Sequence, residues 1–304
     1  MLECYLIELI TWALIIYFGF KTVCFLYSIG FRARLDLKER YGRGTYALVT
    51  GGSDGIGKGI AEALAAEGFN LIIAARTEDK LIKVAKELES KFTGVVVKHI
   101  VFDFSKNISV EDYKLNFGDV IEKYNISILV NNVGTSVPAF YGKISLDDIR
   151  RVISMNTFPQ VILSKLLIEK MLLKETRSAI INLSSSAANV AMKTFGLYSA
   201  TKAFNDFLSR GMAEELQHKI DIMVVKPLGV ESPLSKMKAN GITCISPIQC
   251  ANGILDCLGY EKETEGHWSH RFQGGLINLF PRIIQEYLGG LVIMYVLKKQ
   301  GRQL

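Results

Sequence analysis

Proline is scarce in this chain: six residues in 304, none clustered, so no proline-rich linker divides it, and no internal repeat or low-complexity tract does either. The five cysteines (Cys4, Cys24, Cys244, Cys250, Cys257) lack paired-ligand spacing, and two lie in an apolar leader. That pattern excludes a zinc framework and a disulfide scaffold and fits reduced thiols in a cytosol-like compartment. His267-Trp-Ser-His270 has no further ligand cluster near it, so ordinary loop histidines and no metal are expected there. A block of like charge is also missing. The net charge of +6 comes from basic residues spread along the chain, which excludes a nucleic-acid footprint and favours an anionic membrane surface or an anionic substrate.

What is present is ample apolar material, 49% of the residues, enough for one large domain with appendages. Residues 9–30 carry a single charge, Lys21, and as a helix would extend about 33 Å, enough for a hydrocarbon core of about 30 Å. Membrane association is expected; spanning and interfacial anchoring both stay open, because Lys21 must snorkel or face a partner. Arg32, Arg34, Lys38, Arg40 and Arg43 follow the run and Glu3 and Glu8 precede it, which places the body of the protein on the cytosolic side. A cleaved signal peptide would need a basic n-region that is absent. Near the other end, residues 276–280, Pro281 and residues 288–297 are apolar, with too short a run to span. An interfacial or partner-binding helix, or one packed on its own domain or across a dimer, is expected there. Lys298 and Lys299 lie too far from the terminus for an ER-retrieval signal.

Between these ends, apolar runs at 46–49, 71–74, 95–102, 126–130, 179–183 and 222–225 alternate with helical stretches. This is the pattern of an α/β fold with a doubly wound parallel sheet. The first strand enters Thr50-Gly-Gly-Ser-Asp-Gly-Ile-Gly57, a turn suited to a dinucleotide. Gly51 permits the tight turn, Gly55 lets the backbone approach a pyrophosphate, Gly57 lets the next helix pack close, and that helix, 56–66, aims its N-terminal amides at phosphate. Far downstream, Tyr198-Ser-Ala-Thr-Lys202 puts a phenol and an ammonium on one helical face, where the cation is expected to lower the phenol pKa.

Asn131-Asn-Val-Gly134, Asn156 and Ser184-Ser185-Ser186 accompany these two motifs in order. Over roughly residues 44–235 the chain resembles the short-chain dehydrogenase/reductase superfamily, which implies a Rossmann domain and an Asn156, Ser185, Tyr198, Lys202 tetrad. The family's interval of 13 residues before the tyrosine selects Ser185. Asp-Gly-Ile-Gly-Lys, Asn-Asn-Val-Gly and the apolar leader look like the membrane-associated branch of 17β-hydroxysteroid dehydrogenases and very-long-chain 3-oxoacyl-CoA reductases. The resemblance implies cofactor contacts at Thr50, Gly51, Ser53, Gly55, Ile56, Gly57, Asp103 (the adenine side), Asn131, Tyr198, Lys202, Pro227, Val230 and Ser232. Arg76, where an acid would hold a ribose hydroxyl, favours the 2′-phosphate of NADP(H), with Ser53 as a second contact.

The implied chemistry is carbonyl reduction. Tyr198 gives the proton, Lys202 lowers the phenol pKa and binds the nicotinamide ribose, Ser185 hydrogen-bonds the carbonyl, and Asn156 holds a water that connects Lys202 to solvent. One departure is Pro227-Leu-Gly-Val230-Glu-Ser232, where the superfamily has Pro-Gly-x-Val-x-Thr; it bears on the geometry of the substrate lid, residues 228–246. The expected division is a leader and basic linker at 1–43, a reductase domain at 44–275 and an apolar extension at 276–304. Expected substrates are a 3-oxoacyl-CoA first and a 17-keto steroid second, at the endoplasmic reticulum membrane with the mitochondrial inner membrane as alternative. A homodimer stays open, as does the second function: an accessory subunit of a membrane complex, holding NADP(H) structurally and recruited through its apolar ends.

Overall fold

The structure is a computed structural model describing residues 2–299, with side chains described for 5–298. Glu3, Cys4 and Lys299 lie outside the described side chains, and 300–304 outside the described residues. The described chain falls into two units, one up to Leu35 and one from Asp36 onward.

The first unit is built on α1 (Leu2–Gly30). Its stretch Tyr5–Gly30 is long and apolar enough to cross a membrane, and none of its most apolar window is buried by protein. The few polar groups along it are satisfied locally: the Thr11 and Thr22 hydroxyls donate to the carbonyls of Ile7 and Phe18, both at 2.8 Å, and the Lys21 ammonium lies 5.7 Å from the Tyr17 ring centre.

The second unit opens with α2 (Leu37–Tyr41) and alternates β1 (Tyr46–Thr50), α3 (Gly55–Ala66), β2 (Asn70–Ala75), α4 (Glu78–Lys91), β3 (Val97–Val101), α5 (Val110–Lys123), β4 (Ile126–Asn131), α6 (Leu146–Leu172), β5 (Ser178–Leu183), α7 (Gly196–Leu216) and β6 (Ile220–Val225). These strands form a parallel sheet in the order β3-β2-β1-β4-β5-β6, extended by β9 (Glu263–Thr264). The order reverses between β1 and β4, and in open α/β sheets the ligand crevice lies at that switch, beyond the strand C-termini. Helix α3 packs with α4 and with α8 (Pro247–Cys257), while α6 packs with α5 and α7, giving the two helical layers. The central strands β4 and β5 are buried at every position, which is why their sequences are mostly apolar rather than alternating. Phe102 anchors the core under α5, with Tyr113 and Phe117 at ring separations of 5.0 and 5.1 Å.

Four features depart from expectation. Strand β9 is too short to show periodicity, and it exists through pairing with Val224 and Val225. The segment after β6 is partly ordered by a parallel pair, β7 (Gly229–Val230) on β8 (Cys244–Ile245). Helix α2, placed in the leader by sequence, packs with the second unit instead: Leu37 and Tyr41 are fully buried, and Asp221 at the start of β6 binds Arg40, Arg177 and the Tyr41 hydroxyl at 2.6, 2.7 and 2.8 Å. The C-terminal boundary also falls inside an element, because α9 (Trp268–Ile277) runs through residue 275; after Pro281 comes α10 (Arg282–Lys299).

Candidate active site

The glycine turn closes β1 and is shaped by contacts a side chain would forbid. Gly51 has φ +66°, and a Cβ on Gly57 would lie 2.2 Å from the Gly51 carbonyl oxygen and 2.4 Å from Asn132 Nδ2. Asp54 caps α3 by accepting the Gly55 N–H at 2.8 Å, which leaves the first turn of the helix open to an anion. Thr50 locks this turn to the end of β4: its hydroxyl donates to Val130 O at 3.1 Å and accepts the Asn132 N–H at 2.9 Å. The Asn132 amide answers by donating to Thr50 O at 2.9 Å.

Asn131, expected as a cofactor contact, and Asn132 take opposite directions here. The Asn131 side chain turns into the core, donating to Asn182 Oδ1 at 2.9 Å and Ser164 Oγ at 3.2 Å, while its neighbour Asn132 faces the turn. Alternation along a strand places adjacent residues on opposite faces, so the doublet could not be resolved by motif alone.

Arg76 is exposed at the end of β2 and has no ion-pair partner among the described residues. Asp103, following β3, stays ionised to below the usual carboxylate range. Burial raises it, but the Ser105 hydroxyl and N–H donate to it at 2.6 and 3.0 Å, and Lys106 and Arg76 add attraction. Ser53 and Ile56 lie half-buried on the turn itself.

The tetrad assembles at the C-terminal ends of β4 and β5. Ser184 N–H donates to Val225 O at 2.8 Å and Ser186 N–H to Pro227 O at 3.1 Å, so Ser185 is held between one bond to β6 and one to the loop after it. Its hydroxyl accepts the Ala187 N–H at 3.2 Å and stands in hydrogen-bonding reach of the Tyr198 phenol. Tyr198 sits in the first turn of α7, with its ring 4.8 Å from Phe195. Lys202, one turn on, is buried and donates to Leu183 O at 2.7 Å, its ammonium 5.7 Å from the Tyr198 ring centre.

The expected lowering of the Tyr198 pKa is opposed by burial. Burial pushes the phenol up to about 12, with the Ser185 hydrogen bond opposing, and burial pushes Lys202 down to about 8. Desolvation disfavours the charged form of each group. The Asn156 side chain, expected to hold a water, is engaged with protein groups. Its Oδ1 accepts the Thr135 N–H at 2.7 Å, and its Nδ2 donates to Thr135 O and Thr201 Oγ1, both at 2.9 Å. The side chain is thus spent on fixing the 134–135 backbone against α7. A Cβ on Gly134 would lie 3.3 Å from Asn156 Oδ1 and 3.5 Å from Lys202 Nζ, so this glycine keeps the floor of the site clear.

The strand-end loop after β6 reaches the glycine turn. Val230 is buried in β7, and a Cβ on Gly55 would lie 3.1 Å from Ser232 Cβ, which places Ser232 over the glycine turn. Lys226, which no sequence motif marks, and His270 flank this loop. The Lys226 side chain, 6% exposed, pairs with Glu263 and with Asp206 at 3.6 Å, and donates to Asn189 Oδ1 at 3.1 Å. His270, expected as a loop histidine, lies inside α9 and is fully buried, with Leu228 N–H donating to its Nδ1 at 3.3 Å and its Nε2 3.1 Å from Gly229 O. His267 caps the same helix. Among the described residues no cluster of three His, Cys, Asp or Glu could hold a metal.

The family model for short chain dehydrogenases matches residues 45–242. A very-long-chain 3-oxoacyl-CoA reductase of Caenorhabditis briggsae is 32% identical over 83% of this chain and 80% of its own length. The very-long-chain 3-oxoacyl-CoA reductase-B of Danio rerio is 34% identical over 82% of this chain and 80% of its own. Relatives provisionally named as steroid dehydrogenases match at similar identity. Among solved structures, a short-chain dehydrogenase from Sphingobium yanoikuyae in complex with NADPH superposes with a TM-score of 0.63 at 25% identity, covering 70% of this chain and 84% of that one. The glycine turn, the ordered Ser185–Tyr198–Lys202 junction and these matches agree: the chain belongs to the short-chain dehydrogenase/reductase family, nicotinamide-dependent oxidoreductases.

Proposed function

We propose that the chain reduces a ketone on a lipid substrate to a secondary alcohol with NADPH, taking a 3-oxoacyl-CoA in preference to a 17-keto steroid. The observation that carries this reading is the junction of Ser185, Tyr198 and Lys202 at the mouth of the crevice, two side chains meeting over a buried ammonium. A bound nicotinamide would supply hydride to the carbonyl carbon. Tyr198, kept protonated by burial, gives its proton to the carbonyl oxygen, and Ser185 donates a hydrogen bond that aligns the same oxygen. Lys202 stands beneath the phenol, where it would hold the ribose, while Asn156 fixes the 134–135 backbone beside it.

The residues fit the cofactor. Thr50, Gly51, Ser53, Gly55, Ile56 and Gly57 leave the bare backbone and helix end that a pyrophosphate needs. Arg76, exposed at the strand end where no acid stands, supports NADP(H) over NAD(H), with Asp103 on the adenine side. Asn131 supports the site from within the core, and Pro227, Val230 and Ser232 border the nicotinamide side. The names of the relatives and an exposed apolar α1 support a lipid substrate and an endoplasmic reticulum anchor with the catalytic unit facing the cytosol. The test is NADPH oxidation by the purified full chain, followed with a long-chain 3-oxoacyl-CoA, a 17-keto steroid and NADH controls. Turnover with the thioester and NADPH is the expected result, and no turnover with either ketone overturns the reading.

A further inference from the structure

The loop after β6 is where this chain departs from its family, with Leu228 following Pro227, and it is also where a fully buried imidazole grips the backbone. Leu228 N–H donates to His270 Nδ1 at 3.3 Å, and Gly229 O lies 3.1 Å from His270 Nε2. A single neutral imidazole, protonated on Nε2, makes both bonds at once. On one side of this grip, Pro227 O is held by Ser186 N–H at 3.1 Å, next to Ser185. On the other, Val230 pairs with Ile245, and the chain passes over Gly55 at Ser232. One short segment therefore joins the catalytic serine, the cofactor turn and the base of the lid at 228–246.

The helix that presents His270 is itself tightly placed. A Cβ on Gly253 of α8 would lie 2.6 Å from His267 Cα, so α8 and the start of α9 meet backbone to backbone. Ser269 is buried, its N–H bonded to the capping His267, and Arg271 pairs with Glu261 at 3.1 Å. A side chain on such a support transmits its position with little slack.

We propose that His270 is a positioning residue for the reductase reaction: through its two bonds to Leu228 and Gly229 it sets the loop that faces the nicotinamide and fixes the hinge of the substrate lid. The inference rests on the reductase reading of the site. It predicts an order of rescue that follows hydrogen-bonding capacity rather than size. Glutamine carries both an acceptor and a donor and restores the grip; leucine fills the space and restores neither bond.

The experiment compares the full chain with His270→Leu and His270→Gln. His270→Leu is expected to lower kcat about tenfold or more at little changed substrate KM. It should also weaken NADPH binding measured by fluorescence titration, and speed tryptic cleavage at the lid residues Lys236 and Lys238. His270→Gln is expected to recover most of each quantity. Wild-type kcat and wild-type lid protection in folded His270→Leu overturn the inference, as does a glutamine variant no better than leucine. Should His270→Leu not fold, hydrogen exchange in the wild-type chain decides: a protected Leu228 amide supports the grip, and an unprotected one removes it. If the wild-type chain turns over no ketone, the reductase reading fails, and cofactor titration and proteolysis still judge the role of His270.

Discussion

Because burial holds the Tyr198 phenol at about 12 and the Lys202 ammonium at about 8, removing the phenol hydroxyl subtracts a transferable proton and little else. Tyr198→Phe is expected to lower kcat by about a hundredfold or more while NADPH affinity stays within about twofold, read by steady-state turnover and fluorescence titration. Retained turnover would move the acid elsewhere. Arg76→Glu sets a carboxylate where the 2′-phosphate is proposed to lie, so KM for NADPH should rise about tenfold or more and that for NADH should not. Equal effects on both would detach Arg76 from the phosphate. His270 supplies a pH signature. Its folded pKa is lowered to about 4 by burial, with His267 adding repulsion and the Gly229 and Glu265 backbone opposing, against an ordinary value of 6.5. The unfolded chain therefore takes up a proton that the folded chain refuses as pH falls from 6.5 to about 4. Stability present above 6.5 is lost across that window, by about 3 kcal/mol at most. Denaturant titrations at several pH values should show this loss in the wild type and its absence in His270→Gln.

At the scale of elements, the six longer strands, the glycine turn and the Tyr198 helix were all legible, because each combines a hydrophobic period with residue types whose chemistry is local. What was not legible depends on partners remote in sequence. Strand β9 has two residues and owes its existence to β6. The choice between Asn131 and Asn132 depends on which face of β4 meets the turn. The acidity of Tyr198 turned on burial, which a four-residue spacing does not report. Lys226 belongs to no motif, yet it joins three elements through Asp206 on α7, Asn189 after Ser185, and Glu263 on β9. Its loss leaves Asp206, whose side chain is 7% exposed, to Arg210 alone at 3.1 Å. Lys226→Met is therefore expected to cost about 2–4 kcal/mol in urea unfolding, toward the lower end of what breaking a buried pair costs because Arg210 remains. A change below about 0.5 kcal/mol would show that the cluster is only incidental to the fold.

At the scale of the whole molecule, the working division proposed for the chain follows from where α2 belongs. The apolar α1 carries no buried surface in its most apolar window, whereas Leu37 and Tyr41 are fully buried and Arg40 and the Tyr41 hydroxyl hold Asp221. Two truncations separate anchor from fold. Removing residues 1–35 should release the protein from membranes and leave NADPH binding and thermal stability close to those of the full chain. Removing residues 1–43 takes α2 as well. It empties two buried sites, at about 2–4 kcal/mol each, and leaves Asp221 to Arg177, so that chain should be markedly destabilised or fail to fold. Equal stability of the two would return α2 to the leader. If the shorter truncation stays on membranes, the second attachment is sought in α10, where Ile283, Tyr287, Val292 and Tyr295 are exposed. Substituting those four with serine is the way to probe it, because α10 also packs inward: Leu297 is buried, and a Cβ on Gly289 would meet Met192 at 2.9 Å. Deleting the extension from residue 276 would cut α9 within its last turn and strip that inward packing, so loss of activity in such a deletion would report damage to the catalytic unit rather than detachment from lipid.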